Sequence, residues 1–382
     1  MNRQSQIRDF GRRSGLKVYP VSIGAMRLPD QEQAISLMRK AIDVGMVYID
    51  TSRGYGESEI KVGKSLKDGY REKVILSTKW APWITKIEET DDASADCTYK
   101  RILESMERLD VGYLDFYQIW NICKPEYYQQ VIAKGGMLDG VRRAVDEGLV
   151  GHIGFTTHDS PENISRYIDE ADWCEAILFT YNMLNPTYKQ VIQKAHEKGI
   201  ATIVMNPVGG GMFAEDSAVL NRTVSLITGS ENAVETAHRY LRGDENVDTI
   251  LCGIVRPSDI ESTIANYQKP PLTAGQIRRI EEAMSKLSSK SQGFCTGCRY
   301  CMPCPQGINI PAMMSVVYYH KLLRVPGKAK DVYNWVINPN NEDISKLAAD
   351  CVQCGECEKK CTQQLNIMDE LNFISKNYED KK

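Results

Sequence analysis

Along the chain, short apolar or β-branched runs alternate with longer stretches whose apolar positions recur every three or four residues. That alternation is the signature of repeated strand–helix units around a parallel sheet. Eight runs read as strands: Val21–Gly24, Val47–Asp50, Val74–Lys79, Leu114–Trp120, Gly151–Phe155, Ala176–Thr180, Thr202–Met205 and Asp248–Cys252. The first intervening helix carries its own punctuation: Asp30 as N-cap, Gln33 three residues on, a run to Val44, and Gly45 where a C-terminal cap belongs. Other helices are predicted near 57–67, 96–108, 137–147, 160–169, 187–197, 232–242 and 258–267. Eight units within roughly 270 residues fit a (β/α)8 barrel better than an open doubly wound sheet, although periodicity alone does not exclude the latter.

Past Pro270–Pro271 comes a polar helix, about 274–287, and then Ser288-Ser289-Lys290-Ser291-Gln292-Gly293, which reads as a hinge. The expected division is therefore a barrel over 1–290 and a small, mostly α-helical, cysteine-rich domain over 291–382. Gly209, Gly210 and Gly211 follow a strand, but their spacing matches neither a dinucleotide fingerprint nor a phosphate loop, so a plain turn is expected.

Composition narrows the function classes. Forty-seven basic residues against fifty acidic ones leave a formal charge of −3, with no excess to attract nucleic acid or anionic lipid. The N-terminal stretch lacks the apolar core of a secretory signal, and no long apolar run crosses a bilayer, so a cytoplasmic protein without nucleic-acid or membrane partners is expected. Of twelve cysteines, eight crowd between positions 295 and 361. Cys97, Cys123, Cys174 and Cys252 are scattered and read as core residues, with Cys123 notable for following a strand.

The crowded cysteines form two groups, Cys295-x2-Cys298-x2-Cys301-x2-Cys304-Pro305 and Cys351-x2-Cys354-x2-Cys357-x3-Cys361. Three thiolates at this spacing wrap three corners of an iron–sulfur cube, and a fourth, further along, completes ligation. Zinc favours paired knuckles over three consecutive steps, and disulfides suit neither the compartment nor the spacing. By analogy with two-cluster ferredoxins, the last cysteine of each group serves the other cluster. Cys295, Cys298, Cys301 and Cys361 then hold one 4Fe-4S cluster, and Cys351, Cys354, Cys357 and Cys304 the second. Local ligation, with each group keeping its own four cysteines, remains the alternative.

At the end of the second predicted strand stands Asp50-Thr-Ser-Arg-Gly-Tyr55-Gly-Glu-Ser-Glu59, where barrel enzymes place catalytic groups. This stretch resembles the aldo/keto reductase signature. The resemblance continues through Leu76-Ser-Thr-Lys79-Trp, Leu114-Asp-Phe-Tyr-Gln-Ile-Trp120, Gly154-Phe-Thr-Thr-His158, Tyr181-Asn-Met-Leu and Asn206-Pro-Val-Gly-Gly-Gly. Together with the C-terminal cysteines it is similar to the iron–sulfur-bearing branch of that family. It implies Tyr55 as proton donor to a carbonyl, with Lys79 and Asp50 lowering its pKa. A phenol near pKa 10 is a sluggish acid–base at neutral pH, and an adjacent ammonium favours phenolate.

Several positions depart from the family. Trp120, followed by Asn121, stands where the family carries a catalytic histidine; its indole donates a hydrogen bond but is neither acid nor base. His152 and His158, near the fifth strand, read as structural. Leu178, Met205, Ser262 and Thr263 replace residues that serve NAD(P)(H) in relatives. The resemblance leaves Thr156, Asn182, Asn206, Gly253 and Arg256 as the cofactor-binding candidates, with Arg256 facing a 2′-phosphate or simply solvent.

A hydride carries two electrons and a cluster exchanges one. Three readings follow: an oxidoreductase for a small carbonyl or alcohol whose clusters relay electrons to or from a ferredoxin-like partner; a conventional NAD(P)H-dependent carbonyl reductase with structural clusters; or a non-catalytic electron-transfer or docking subunit. The first needs two single-electron steps or a converter such as a flavin, for which no motif is present.

Overall fold

The computed structural model describes residues 7–288, 295, 301–340, 344–361 and 365–379. A short antiparallel hairpin, β1 (Arg8–Asp9) with β2 (Lys17–Val18), precedes eight strands: β3 (Val21–Gly24), β4 (Tyr48–Asp50), β5 (Ile75–Trp80), β6 (Leu114–Ile119), β7 (Val150–Thr156), β8 (Ala176–Thr180), β9 (Ala201–Met205) and β10 (Thr249–Gly253). These eight pair in parallel and in sequence order, and β10 closes on β3 to complete a barrel. Each lies within a residue or two of its predicted run. The open-sheet alternative is excluded.

The first helix, Gln31–Asp43, begins as its sequence demands: the Asp30 carboxylate accepts the Gln33 N–H at 3.1 Å. It ends before Gly45, whose φ of 101° a residue with a side chain rarely adopts.

Strand register decides which side chains enter the barrel. Asp50 pairs with Ser77, and Lys79 with Gln118. Alternation along each strand then turns Tyr48 and Asp50, Ser77 and Lys79, and Phe116 and Gln118 toward the axis. The deeper of these are apolar: Tyr48 and Phe116 belong to a buried cluster with Leu178, Ile203 and Leu251. The hairpin supplies its floor, for the Phe10 ring lies 5.0 Å from that of Tyr48 and 5.4 Å from that of Phe116. Asp248 fastens this floor, its carboxylate accepting the N–H of Gly11 at 3.1 Å and of Thr202 at 2.9 Å.

Packing divides the chain into two compact units. One holds the hairpin and all eight strands, and spans 1–182, 186–210 and 237–272. The other joins residues 183–185 and 211–236 to everything from 273 onward. It is helical, with helices Ala218–Thr228, Ala274–Ser288, Ile310–Val317, Pro326–Val336, Glu356–Lys359 and Ile367–Tyr378. Its core gathers Ile308, Met313, Val317, Tyr333, Leu371 and Ile374, with Cys301 buried among them. No helix among the described residues is long and apolar enough to cross a membrane.

Candidate active site and cysteine cavity

At the carboxyl ends of β4, β5 and β6 the apolar interior gives way to a polar constellation. Lys79 Nζ lies 2.5 Å from Asp50 Oδ2 and donates to the Thr51 carbonyl at 2.9 Å, with both charged side chains almost wholly buried. Gln118 Nε2 stands 3.1 Å from the other Asp50 oxygen, 2.9 Å from Ser77 Oγ and 3.1 Å from the Tyr48 hydroxyl. The Lys79 ammonium is 4.8 Å from the Tyr55 ring centroid and 5.9 Å from that of Trp120. Tyr55 and Trp120 meet edge to face at 5.3 Å. The structure thus brings Asp50, Tyr55, Lys79 and Trp120 together.

The segment bearing Tyr55 is fixed along its length. Ser52 Oγ donates to the Lys79 carbonyl at 3.0 Å and accepts the Gly54 N–H, while the Tyr55 N–H donates to Ser52 O. The helix Ser58–Ser65 follows at once. From it the buried Glu59 accepts from Thr78 Oγ1 at 2.7 Å and from Arg108 Nε at 2.9 Å, which locks the segment onto β5 one residue before Lys79. A phenol so held keeps one orientation.

Electrostatics amend the expectation for Tyr55. Lys79 lowers the phenol's pKa, as the resemblance implies, but burial outweighs it and Asp50 opposes it, so the phenol lies above its ordinary value of 10.0. Tyr55 is therefore a protonated acid at neutral pH. Burial disfavours the Lys79 charge, yet Asp50 and Tyr55 more than compensate, and the ammonium is held above its usual range. Asp50 is pushed up by burial against the pull of Lys79 and Gln118.

The main chain of Trp120 is clamped: Trp83 Nε1 donates to the carbonyls of Trp120 and Asn121, both at 2.9 Å. Asn121 sits at φ 60°, and its N–H donates to Thr156 Oγ1 at 2.7 Å. His152 Nδ1 pairs with Glu175 Oε2 at 2.8 Å, and His158, 3.2 Å from Thr180 Oγ1, is driven by burial to a pKa of about 4 and is neutral.

The remaining cofactor candidates do not form a phosphate cradle. Thr156 is engaged with Asn121, and Asn182 Nδ2 donates to the Asn206 carbonyl at 3.0 Å. Met205 packs against the barrel core and Leu178 lies within it. After β10, where Gly253 is exposed, Asp259 accepts the backbone N–H of Val255 at 3.0 Å and of Arg256 at 2.9 Å, and pairs with the Arg256 guanidinium at 3.1 Å. A carboxylate of the chain itself thus takes the donors that a phosphate would need at this helix start, and the residues present do not fit a nucleotide phosphate there.

The helical unit holds a cavity of about 350 Å³, its open mouth included, lined by Cys301, Cys304, Cys351, Cys354 and Cys357 over Ile310, Met368 and Leu371. No carboxylate or imidazole lines it. Five soft sulfur donors over an apolar floor fit an iron–sulfur group and suit no hard cation. Cys301 and Cys304 of the first group thus join three cysteines of the second across a long stretch of sequence. Cys295 donates its N–H to the Tyr318 phenol oxygen, and Cys295 and Cys361 both pack against the core that contains Tyr318. Cys298 lies outside the described residues.

Gln118, Gly54 and Glu59 stand within the quoted motifs without an assigned role, and Asp259 is not singled out at all. Gln118 left a trace, a polar side chain at an inward position of an otherwise apolar strand. The others become visible only through tertiary contact.

Residues 20–285 match the aldo/keto reductase family, and residues 294–366 match a 4Fe-4S dicluster domain. Among curated relatives, a probable aldo-keto reductase 1 of Glycine max is 28% identical over 226 residues, covering 54% of this chain and 61% of that protein. The L-galactose dehydrogenase of Arabidopsis thaliana is 25% identical over 282 residues, covering 66% and 85%. The holo form of an aldo-keto reductase from Bacillus halodurans superposes with a TM-score of 0.62 at 22% identity, covering 72% of this chain and 95% of that one.

Proposed function

Because the chain belongs to the aldo/keto reductase family and carries a 4Fe-4S dicluster domain, we propose that this oxidoreductase interconverts a small carbonyl compound and its alcohol, its clusters relaying electrons between the barrel and a ferredoxin-like partner. The observation that carries the reading is the buried Asp50–Lys79 pair beneath Tyr55 at the barrel mouth. The relatives' names, reductase and dehydrogenase, point the same way.

Tyr55 donates its proton to the carbonyl oxygen, and the Lys79 ammonium stabilises the phenolate left behind. Asp50, held by Gln118, keeps that ammonium charged and in place. Trp120 offers the substrate an indole face and one N–H donor. Reducing a carbonyl to an alcohol takes two electrons and two protons; Tyr55 delivers one proton to oxygen, and solvent delivers the other to carbon. Cys295, Cys298, Cys301 and Cys361 would hold one 4Fe-4S cluster and Cys304, Cys351, Cys354 and Cys357 the other, and each cluster would supply one electron. Cys304 lines one cavity with Cys351, Cys354 and Cys357, as the crossed arrangement requires, and Cys301 of the first group lines it as well. No step is assigned to a nicotinamide, since Asp259 takes the donors its phosphate would use.

The test is a carbonyl and alcohol panel assayed anaerobically on cluster-replete protein, alongside Tyr55→Phe. Turnover that Tyr55→Phe abolishes, with clusters intact, supports the reading. Equal turnover in both removes Tyr55 from its role.

A further inference from the structure

Helix Ile367–Tyr378 is joined to the second cysteine group at both of its ends. At its start the Met368 N–H donates to Glu358 Oε1 at 2.9 Å, one residue past Cys357. Just beyond its end, Glu379 reaches back to the residues that lead into Cys351: its Oε1 accepts the Ala348 N–H at 2.6 Å, and its Oε2 the Ala349 N–H at 2.9 Å. These residues open a short 3-10 turn, Ala348–Asp350, and the Cys351 N–H donates back to the Ala348 carbonyl at 3.1 Å. A third donor fixes the carboxylate, for the Tyr333 hydroxyl donates to Glu379 Oε1 at 3.0 Å. Tyr333 is itself buried in the helical core, and its ring lies 5.5 Å from that of Tyr378. Between the two attachments the chain from Cys351 to Gly355 forms neither helix nor strand, and Gln353 sits at φ 53°. Met368 and Leu371 of the same helix line the cavity that Cys351, Cys354 and Cys357 also line.

The first N–H groups of a helical turn have no partner within it, and a carboxylate that accepts two of them together with a phenol O–H forms charge-assisted bonds, stronger than neutral ones. A residue with a side chain at positive φ keeps that shape only where its surroundings impose it. We propose that Glu379 is the latch of the cluster that Cys351, Cys354 and Cys357 would hold: by fixing the turn before Cys351 it keeps the three thiolates in place over the helix that floors their cavity, and opening it releases that cluster ahead of the other. The inference rests on the dicluster domain alone. Cys351, Cys354 and Cys357 share a cluster in the crossed and in the local reading, so neither the fourth ligand nor the electron relay enters. Glu379 is a positioning residue: it acts through the turn and ligates no iron.

The test follows iron release from the anaerobic, dithionite-reduced holoprotein to a ferrous chelator, with electron paramagnetic resonance reporting which cluster is lost. In Glu379→Ala one of the two clusters is expected to be released about tenfold faster or more, as the loss of hydrogen bonds to a charged group implies, and the other at the wild-type rate. Glu379→Gln, which keeps the length and one acceptor oxygen, gives an intermediate rate. Tyr333→Phe removes only the phenol donor, speeds the same cluster by less, and adds nothing on top of Glu379→Ala. Cys351→Ser identifies the cluster, since it perturbs the signal that Glu379→Ala loses first. Hydrogen exchange supplies a second readout: protection falls over 345–357 in Glu379→Ala and is kept over Ile310–Val317. Release of both clusters at wild-type rates in Glu379→Ala overturns the proposal. Equal acceleration of both, with protection lost over Ile310–Val317 as well, overturns it too, since Glu379 then supports the whole helical unit. A Cys351→Ser change that perturbs the slower cluster instead does the same.

Discussion

Gly54 and the indole of Trp120 are in such close contact that a Cβ added at position 54 would stand 2.6 Å from Cζ3 of the ring and 3.1 Å from Cη2. Thr85 Oγ1 would lie 2.8 Å away on another side. The glycine two residues after Ser52 is therefore the counterpart of Trp120: the smaller residue makes room for the larger. Gly54→Ala overpacks this site, and a loss of about 1–3 kcal/mol is expected. Combining it with Trp120→Ala removes the ring's part of the clash and leaves that of Thr85, so the paired changes cost less than the sum of the single ones. Denaturant unfolding of the four proteins checks this coupling.

The direction of the Tyr55 shift has a consequence for pH. A phenol whose pKa lies above its ordinary value retains its proton through neutrality and loses it only in alkali. Carbonyl reduction, which needs the protonated form, is expected to hold its rate from about pH 7 to 9 with respect to this group, and to fall at higher pH. Alcohol oxidation needs the phenolate and rises over the alkaline range. Initial rates in both directions on one substrate pair check the opposition.

The Asp50–Lys79 pair is too deeply buried for one partner to survive alone. Lys79→Met leaves Asp50 without its cation inside the barrel, and a loss of about 3–5 kcal/mol is expected, together with loss of turnover. Adding Asp50→Asn removes the stranded carboxylate and returns part of the stability but none of the activity. Thermal unfolding and turnover, measured on the same preparations, separate the two effects.

Asp259 is expected to weaken nucleotide binding. Asp259→Ala frees the N–H groups of Val255 and Arg256 and the Arg256 guanidinium, all engaged by that carboxylate in the native chain. NADPH affinity then rises, and by more than NADH affinity if Arg256 meets the additional phosphate. Calorimetric titration with both nucleotides checks this. Equal affinities in wild type and variant contradict it.

The barrel was legible because its strands are short apolar runs at near-even spacing, each pinned by turn chemistry such as Asp30 and Gly45. The helix Pro125–Ile132 was not legible, since it is brief and rests on proline at its first turn. Ala218–Thr228 likewise escaped, although Ser217 caps it and Gly229 ends it at φ 68°. Its apolar face packs in the helical unit, and no local periodicity says which unit a helix will join. The resemblance named Tyr55, Lys79 and Asp50, and the structure brings the three together, because loop and strand ends keep their order in sequence. It could not foresee that burial would outweigh Lys79 at Tyr55, nor that Asp259 would fold back onto the start of its own helix. Both outcomes depend on what the folded chain places around a group rather than on the group's neighbours in sequence.

The most direct test of the account follows electrons from the clusters to the barrel. Cluster-replete protein is reduced with dithionite, freed of reductant, and mixed anaerobically with methylglyoxal, glyceraldehyde and benzaldehyde in turn while visible absorption is recorded. At least one carbonyl is expected to restore the oxidised cluster spectrum with alcohol formed in proportion, and Tyr55→Phe to leave the clusters reduced. Clusters that stay reduced before every carbonyl, or that reoxidise equally fast in Tyr55→Phe, contradict it.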